Sequence, residues 1–163
     1  MTEVTFITTG GTIDKVYFDA NSKFEVGESV VKELLVQAHV DLDVEIVPLM
    51  RKDSLELTDT DRELICQAVA DAKAPKVVIT HGTDTMAKTA AALKAAGTTK
   101  TVVMTGAFSP ARFAMTDALF NVGLAMGAVQ ALDSGIYIAM SGQIFPGDKV
   151  RKNLEAQRFE LVE

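Results

Sequence analysis

Two stretches gather hydroxyls next to glycine: TTGGTI at residues 8–13 and THGTDT at 80–85. A threonine hydroxyl is a poor nucleophile near neutral pH, and its attack on a carbonyl requires a base, a nearby cation or a strongly polarising surround. Gly10 and Gly11 permit a sharp turn and close backbone approach, which would leave Thr12 presented at the end of a strand. A threonine after glycine also serves as a turn or helix cap, so Thr12 alone supports either role. In the second stretch Thr83 stands beside Asp84, just before a helical pattern. Asp84 or Thr85 is then the N-cap, or the amides at the helix start stabilise negative charge on a reacting carbonyl. His81 is a base by type, but at a strand end it reads as part of the wall of a site. Cys66 falls on the apolar side of a helical pattern, where burial is the expected role.

The elements that must position these residues alternate. Strands are expected at 4–9, 44–49, 76–80, 101–105 and 135–141, from β-branched runs bounded by glycine, proline or polar residues. Between them Val31, Leu34, Leu35 and Ala38 recur at helical spacing. A second helix follows a capping box of Thr58 and Asp61, with Leu64, Ile65, Ala68, Val69 and Ala72 as its buried stripe. A third spans 85–96 and stops at Gly97, and a fourth lies near 116–131. Such alternation means right-handed βαβ units. The fold class is therefore α/β, a three-layer flavodoxin-like or Rossmann-like arrangement with helices on both faces of a mostly parallel sheet. In the common order 2-1-3-4-5 the direction of winding reverses between strands 1 and 3, and ligands bind outside the strand ends there. TTGGTI follows strand 1 and THGTDT follows strand 3, so the two turns are expected to face each other as one site.

Bulk properties narrow the function. The chain has 163 residues and a net charge of −6, with a pI of about 4.9, which argues against a nucleic-acid or anionic-membrane partner. One cysteine and two distant histidines give no support to a metal site. No membrane span or signal peptide is apparent, which makes a cytoplasmic protein the default. The glycine turn is neither G-x-G-x-x-G nor G-x-x-x-x-G-K-[ST], so both nucleotide fingerprints fail. A flavin would fit the same crevice, but with 6% aromatic residues and no tryptophan stacking partners are few. No cofactor is expected.

TGGTI at 9–13 paired with HGTDTM at 81–86 resembles the signature of the bacterial-type asparaginase/glutaminase family. The similarity continues through KDSLELTD (52–59), VVMTGAFSPAR (102–112), TDALFN (116–121) and KVRKN (149–153). It covers that family's N-terminal, site-bearing domain, so residues 1–163 read as a single domain without the family's C-terminal one. The resemblance implies that Thr12 is the nucleophile and that Thr83, Asp84 and Lys152 form a second catalytic cluster. It implies that Ser54, with Asp53 beside it, binds the amino-acid end of a substrate whose α-ammonium meets Asp84. It directs the Ala107 carbonyl at the leaving amide, and Gly11 and Gly82 complete the substrate-binding set. Amides near Gly11, Thr83 and Asp84 would hold the oxyanion.

The departures matter too. Aligned on Val26-Gly27, Phe24 stands where the family has a tyrosine that assists the first threonine, and Tyr17 on the same loop is the candidate replacement. Leu55 stands where the family has a polar substrate contact. The segment from Asp14 to Val26 is expected to act as a lid. The implied activity is hydrolysis of asparagine, or of glutamine, to the acid and ammonia by a homo-oligomeric amidohydrolase. The alternative is a binding or regulatory domain that kept the crevice and lost turnover.

Overall fold

The computed structural model describes residues 1–20 and 22–163. Its centre is a six-stranded sheet built from β1 (Val4–Gly10), β4 (Val44–Lys52), β5 (Lys76–Thr80), β6 (Thr101–Thr105), β7 (Gly135–Met140) and β8 (Gln143–Pro146). The order is β4-β1-β5-β6-β7-β8. The first five strands pair in parallel and β8 returns antiparallel to β7. This is the expected 2-1-3-4-5 order with one further edge strand. β1 is buried along its whole length, which is why its sequence is continuously apolar or threonine.

Helices cover both faces. Val4 and Phe6 of β1 pack with Val31, Leu34 and Leu35 of α1 (Val31–Gln37) and with Val122, Ala125 and Val129 of α4 (Ala118–Ala131). Ile7, pointing the other way, packs with Ile65 and Val69 of α2 (Asp59–Asp71) and with Met86, Ala90 and Leu93 of α3 (Met86–Ala95). The alternation of Phe6 and Ile7 is the period-two geometry of a strand buried on both sides. The Thr58–Asp61 capping box opens α2 as expected.

Three expectations are corrected. Leu64 is 51% exposed, because the inward phase of α2 is set by Arg62, Ile65 and Val69; the Arg62 head is held inside by Thr89 and the Leu57 carbonyl. Ala38 is exposed and sits just past the end of α1 as its C-cap. The second strand runs on to Lys52, with Pro48 inside it; β4 is an edge strand, where a missing N–H is tolerated.

Two small hairpins lie outside the sheet. β2 (Lys15–Phe18) pairs with β3 (Lys23–Val26) in the segment expected to be a lid; its Asn21 lies outside the described residues. β9 (Val150–Asn153) pairs with β10 (Arg158–Leu161). Val150 and Phe159 bury against the α2/α3 side of the sheet, and this docking carries Lys152 to the strand ends. Among the described residues no helix is long and apolar enough to cross a membrane.

Candidate active site

The loops after β1, β4 and β5 meet at Gly11, Ser54 and Gly82. Gly10 and Gly11 have φ of 104° and 88°, a left-handed region that side chains avoid. A Cβ on Gly11 would lie 2.5 Å from Gly82 Cα, and a Cβ on Gly82 would lie 2.6 Å from Ser54 Cβ. The TTGGTI and THGTDT turns therefore touch, and Ser54 closes the stack. The Gly11 N–H donates to the Lys52 carbonyl at 2.9 Å, and the Thr9 hydroxyl donates to the Thr80 carbonyl at 2.8 Å.

Thr12 is the first residue of a 3₁₀ turn (Thr12–Asp14) whose N-cap position is Gly11, so it is not a cap. It is half-buried, and among the described residues no group bonds its hydroxyl. The turn is closed by the Asp14 N–H on the Gly11 carbonyl at 3.1 Å and by the Lys15 N–H on the Thr12 carbonyl. Asp14 is 1% exposed, and its carboxylate accepts the Val30 N–H at 3.0 Å at the start of α1. Burial pushes its pKa up to about 6, against the Val30 amide and the positive fields of Arg112 and Arg51.

The second cluster is assembled from across the chain. Lys152 Nζ donates to Thr83 Oγ1 at 2.8 Å and to Asp84 Oδ1 at 2.7 Å. Its side chain is 9% exposed and its ammonium stands 5.4 Å from the centre of the Phe108 ring. Asp84 thus faces the lysine and does not cap α3; Thr85 holds the N-cap position without a side-chain cap bond. The Thr85 hydroxyl donates instead to the Ser54 carbonyl at 2.7 Å.

His81 lies beneath this cluster, fully buried. Its Nδ1 is 2.6 Å from the Gly82 carbonyl and its Nε2 is 2.8 Å from Thr89 Oγ1. Nδ1 must carry the proton, since a carbonyl only accepts. Burial pulls its pKa down to about 4, partly opposed by the Gly82 bond. With both ring nitrogens paired, the imidazole braces the turn.

The remaining candidates divide. Ser54 is buried and its hydroxyl accepts the Thr85 N–H at 3.3 Å. Asp53 caps the 3₁₀ turn at Ser54–Glu56 through the Leu55 N–H. Leu55 is 73% exposed and contributes its amide, not its side chain. Ala107 is buried in the β6–α4 loop, which Asp117 organises by accepting the Phe108 and Ser109 N–H groups. Tyr17 is 51% exposed and stands directly across the hairpin from Phe24, with ring centroids 5.3 Å apart. Cross-strand partners share a face, so its phenol occupies the neighbourhood of the Phe24 ring.

The Gly11 N–H is spent on the Lys52 carbonyl, whereas the amides of Thr12, Thr83 and Asp84 belong to those left without an acceptor among the described residues. Asp14, Lys15, Asp117 and Asn121, none of them among the expected site residues, and Thr85, expected only as an N-cap, also shape the loops. For Asp117 and Asn121 the signal was the i, i+4 spacing within TDALFN, which lets Asn121 bond both Asp117 and the Gly106 carbonyl. A cavity of ≈ 480 Å³ lined by Thr8, Asp14, Ser29 and Arg51 includes none of the candidate site residues. Among the described residues no group of three or more His, Cys, Asp or Glu side chains could hold a metal ion.

The chain and its fold have counterparts among known proteins. A family model described as "Asparaginase, N-terminal" matches residues 3–162. An L-asparaginase of Thermococcus kodakarensis is 30% identical over 149 residues, covering 88% of this chain and 45% of the relative. The solved structure of the thermostable L-asparaginase from that organism superposes with a TM-score of 0.85 at 27% identity, over 98% of this chain and 51% of that one. L-asparaginase I from Vibrio cholerae gives a TM-score of 0.81 at 26% identity, over 99% and 52%. The chain thus spans about half the length of these relatives.

Proposed function

The chain belongs to the asparaginase family, matching its N-terminal domain, and from that premise we propose that it is an amidohydrolase acting on L-asparagine. The observation that carries this reading is the bridging of Thr83 and Asp84 by Lys152, on a turn that packs directly against the one presenting Thr12. Thr12 Oγ1 attacks the side-chain amide carbon. The tetrahedral oxyanion is held by amides drawn from Thr12, Thr83 and Asp84. The amide nitrogen leaves as ammonia, its added proton balancing the one that Thr12 gave up, and water hydrolyses the acyl-threonine to release aspartate and restore the Thr12 hydroxyl. The Lys152 ammonium, donating to Thr83 Oγ1, stabilises negative charge on that oxygen and so eases loss of the Thr83 hydroxyl proton. Thr83 then acts as a relay, passing its proton to the leaving nitrogen and taking up the one that Thr12 gives up. The α-ammonium of the substrate pairs with Asp84.

Thr12→Val tests the reading. Ammonia release from asparagine should fall to background in a coupled assay, while Tm stays within about 3 °C of wild type, because valine matches the shape of threonine and the lost hydroxyl has no hydrogen-bond partner among the described residues. Full turnover in this variant would sink the nucleophile assignment. Glutamine in the same assay ranks the two amides.

One observation favours a non-hydrolytic binding domain: Phe24 offers no proton, and among the described residues the Tyr17 hydroxyl bonds to none of the other candidates. Aspartate binding by calorimetry without ammonia release would select that second reading.

A further inference from the structure

Lys15 has no part in the chemistry above, yet it bonds both halves of the crevice. Its N–H donates to the Thr12 carbonyl and closes the turn that presents the hydroxyl. Its side chain leaves β2, crosses to the loop after β4 and meets Asp53 Oδ2 at 3.1 Å. Asp53 immediately precedes Ser54, and its other oxygen accepts the Leu55 N–H at 3.1 Å. One residue therefore holds Thr12 through its main chain and the Ser54 loop through its ammonium.

We propose that Lys15 is a positioning residue whose ion pair with Asp53 clamps the Thr12 turn onto the Ser54 loop, setting the distance between the attacking hydroxyl and the subsite for the amino-acid end of the substrate. The proposal rests on the amidohydrolase reading for its kinetic consequence. Burial works to raise the Asp53 pKa, but the Leu55 amide and the Lys15 ammonium outweigh it, aided by Lys152, and the carboxyl sits below the usual range. Asp53 is thus ionised and able to pair at neutral pH. With Lys15 and Asp53 27% and 31% exposed, the pair adds little to global stability. Misplacing a reacting group by about 1 Å, however, costs on the order of 10²-fold in rate.

A double-mutant cycle tests the clamp. Lys15→Met, Asp53→Asn and the double variant are compared with wild type for kcat/KM on asparagine, with Lys15→Arg as the conservative control. Asparagine at 53 keeps the cap on the Leu55 amide while removing the charge. Lys15→Met should lose roughly 10- to 100-fold, Lys15→Arg should retain most activity, and Lys15→Met should cost nothing further in the Asp53→Asn background. Lys15→Met within twofold of wild type, or a loss that adds in full to that of Asp53→Asn, would overturn the proposal. Amide hydrogen exchange over residues 15–18 runs the same cycle without turnover. Exchange should be faster in each single variant and no faster in the double, and unchanged exchange in Lys15→Met also rejects the clamp. If the wild type releases no ammonia, the amidohydrolase reading fails while the exchange cycle still decides the clamp.

Discussion

Lys152 shows what a single residue contributes once its surroundings are known. Its ammonium reaches two acceptors 69 and 68 residues away in the chain, with a nearly buried stem and the Phe108 ring beneath it. Lys152→Met removes the cation and leaves Thr83 and Asp84 without a partner. We expect kcat for ammonia release to fall by about 10²- to 10⁴-fold, the range for losing a proton-transfer group. Asp84 is 34% exposed and stays solvated, so the melting temperature should move little. Lys152→Arg should not restore activity, because a planar guanidinium cannot replace a compact ammonium between two closely spaced oxygens. Recovery of wild-type kcat in the arginine variant would reject the role assigned to this lysine. Thr12, Thr83 and Asp84 were legible from residue type and flanking glycines. Lys152 was legible only through family resemblance, since a lysine in VRKN carries no local mark.

At the scale of elements, the site exists because strand-end loops stack through glycine. Gly11 and Gly97 both have positive φ, but only Gly11 faces a neighbouring backbone; a Cβ at Gly97 would meet nothing within 4 Å. Gly97→Ala should therefore cost only the conformational penalty of a left-handed φ, about 1–2 kcal/mol. Gly11→Ala adds a collision with Gly82 and should cost about 3 kcal/mol or more. It should also displace Thr12 and abolish turnover. Chemical denaturation of the two variants side by side checks this, and equal losses would contradict the stacking. The α2 capping box shows the opposite case. Thr58 and Asp61 are three residues apart, so the whole motif lies within one local window and can be read directly. Leu64 misled because apolarity over a short helix does not set its phase; the anchoring of Arg62 inside did.

For the molecule as a whole, two buried groups make stability depend on pH in opposite directions. Asp14 rises from 3.8 to about 6 in the fold, so the folded state binds its proton more tightly. Its contribution is favourable at low pH and is lost as pH rises from about 4 to 6, on the order of 3 kcal/mol. His81 falls from 6.5 to about 4, so the unfolded state binds that proton more tightly. Stability from His81 is complete above pH 6.5 and is lost as pH falls toward 4, by a similar amount. Asp14→Asn keeps an acceptor for the Val30 amide and deletes the titration. It should be more stable than wild type at pH 7.5, by about 2–3 kcal/mol, with the difference shrinking toward zero at pH 4. A difference that does not change with pH, measured by denaturant unfolding, would refute the burial of a charged Asp14.

The sequence by itself determined the α/β class, the capping of α2 and the residue types at the two turns. Each of these follows from hydrophobic period, glycine placement or capping chemistry within a few residues. The strand order read from the sequence is only the common one for five such strands, and the structure alone supplied it. Tertiary structure alone decided that Gly11 rests on Gly82, that Lys152 reaches Thr83 and Asp84, and that the Gly11 amide is taken by Lys52. It also decided that Lys15 joins Asp53. These contacts join residues that share no local pattern. They arise only when the parallel strands set their register and bring their loops to one edge of the sheet.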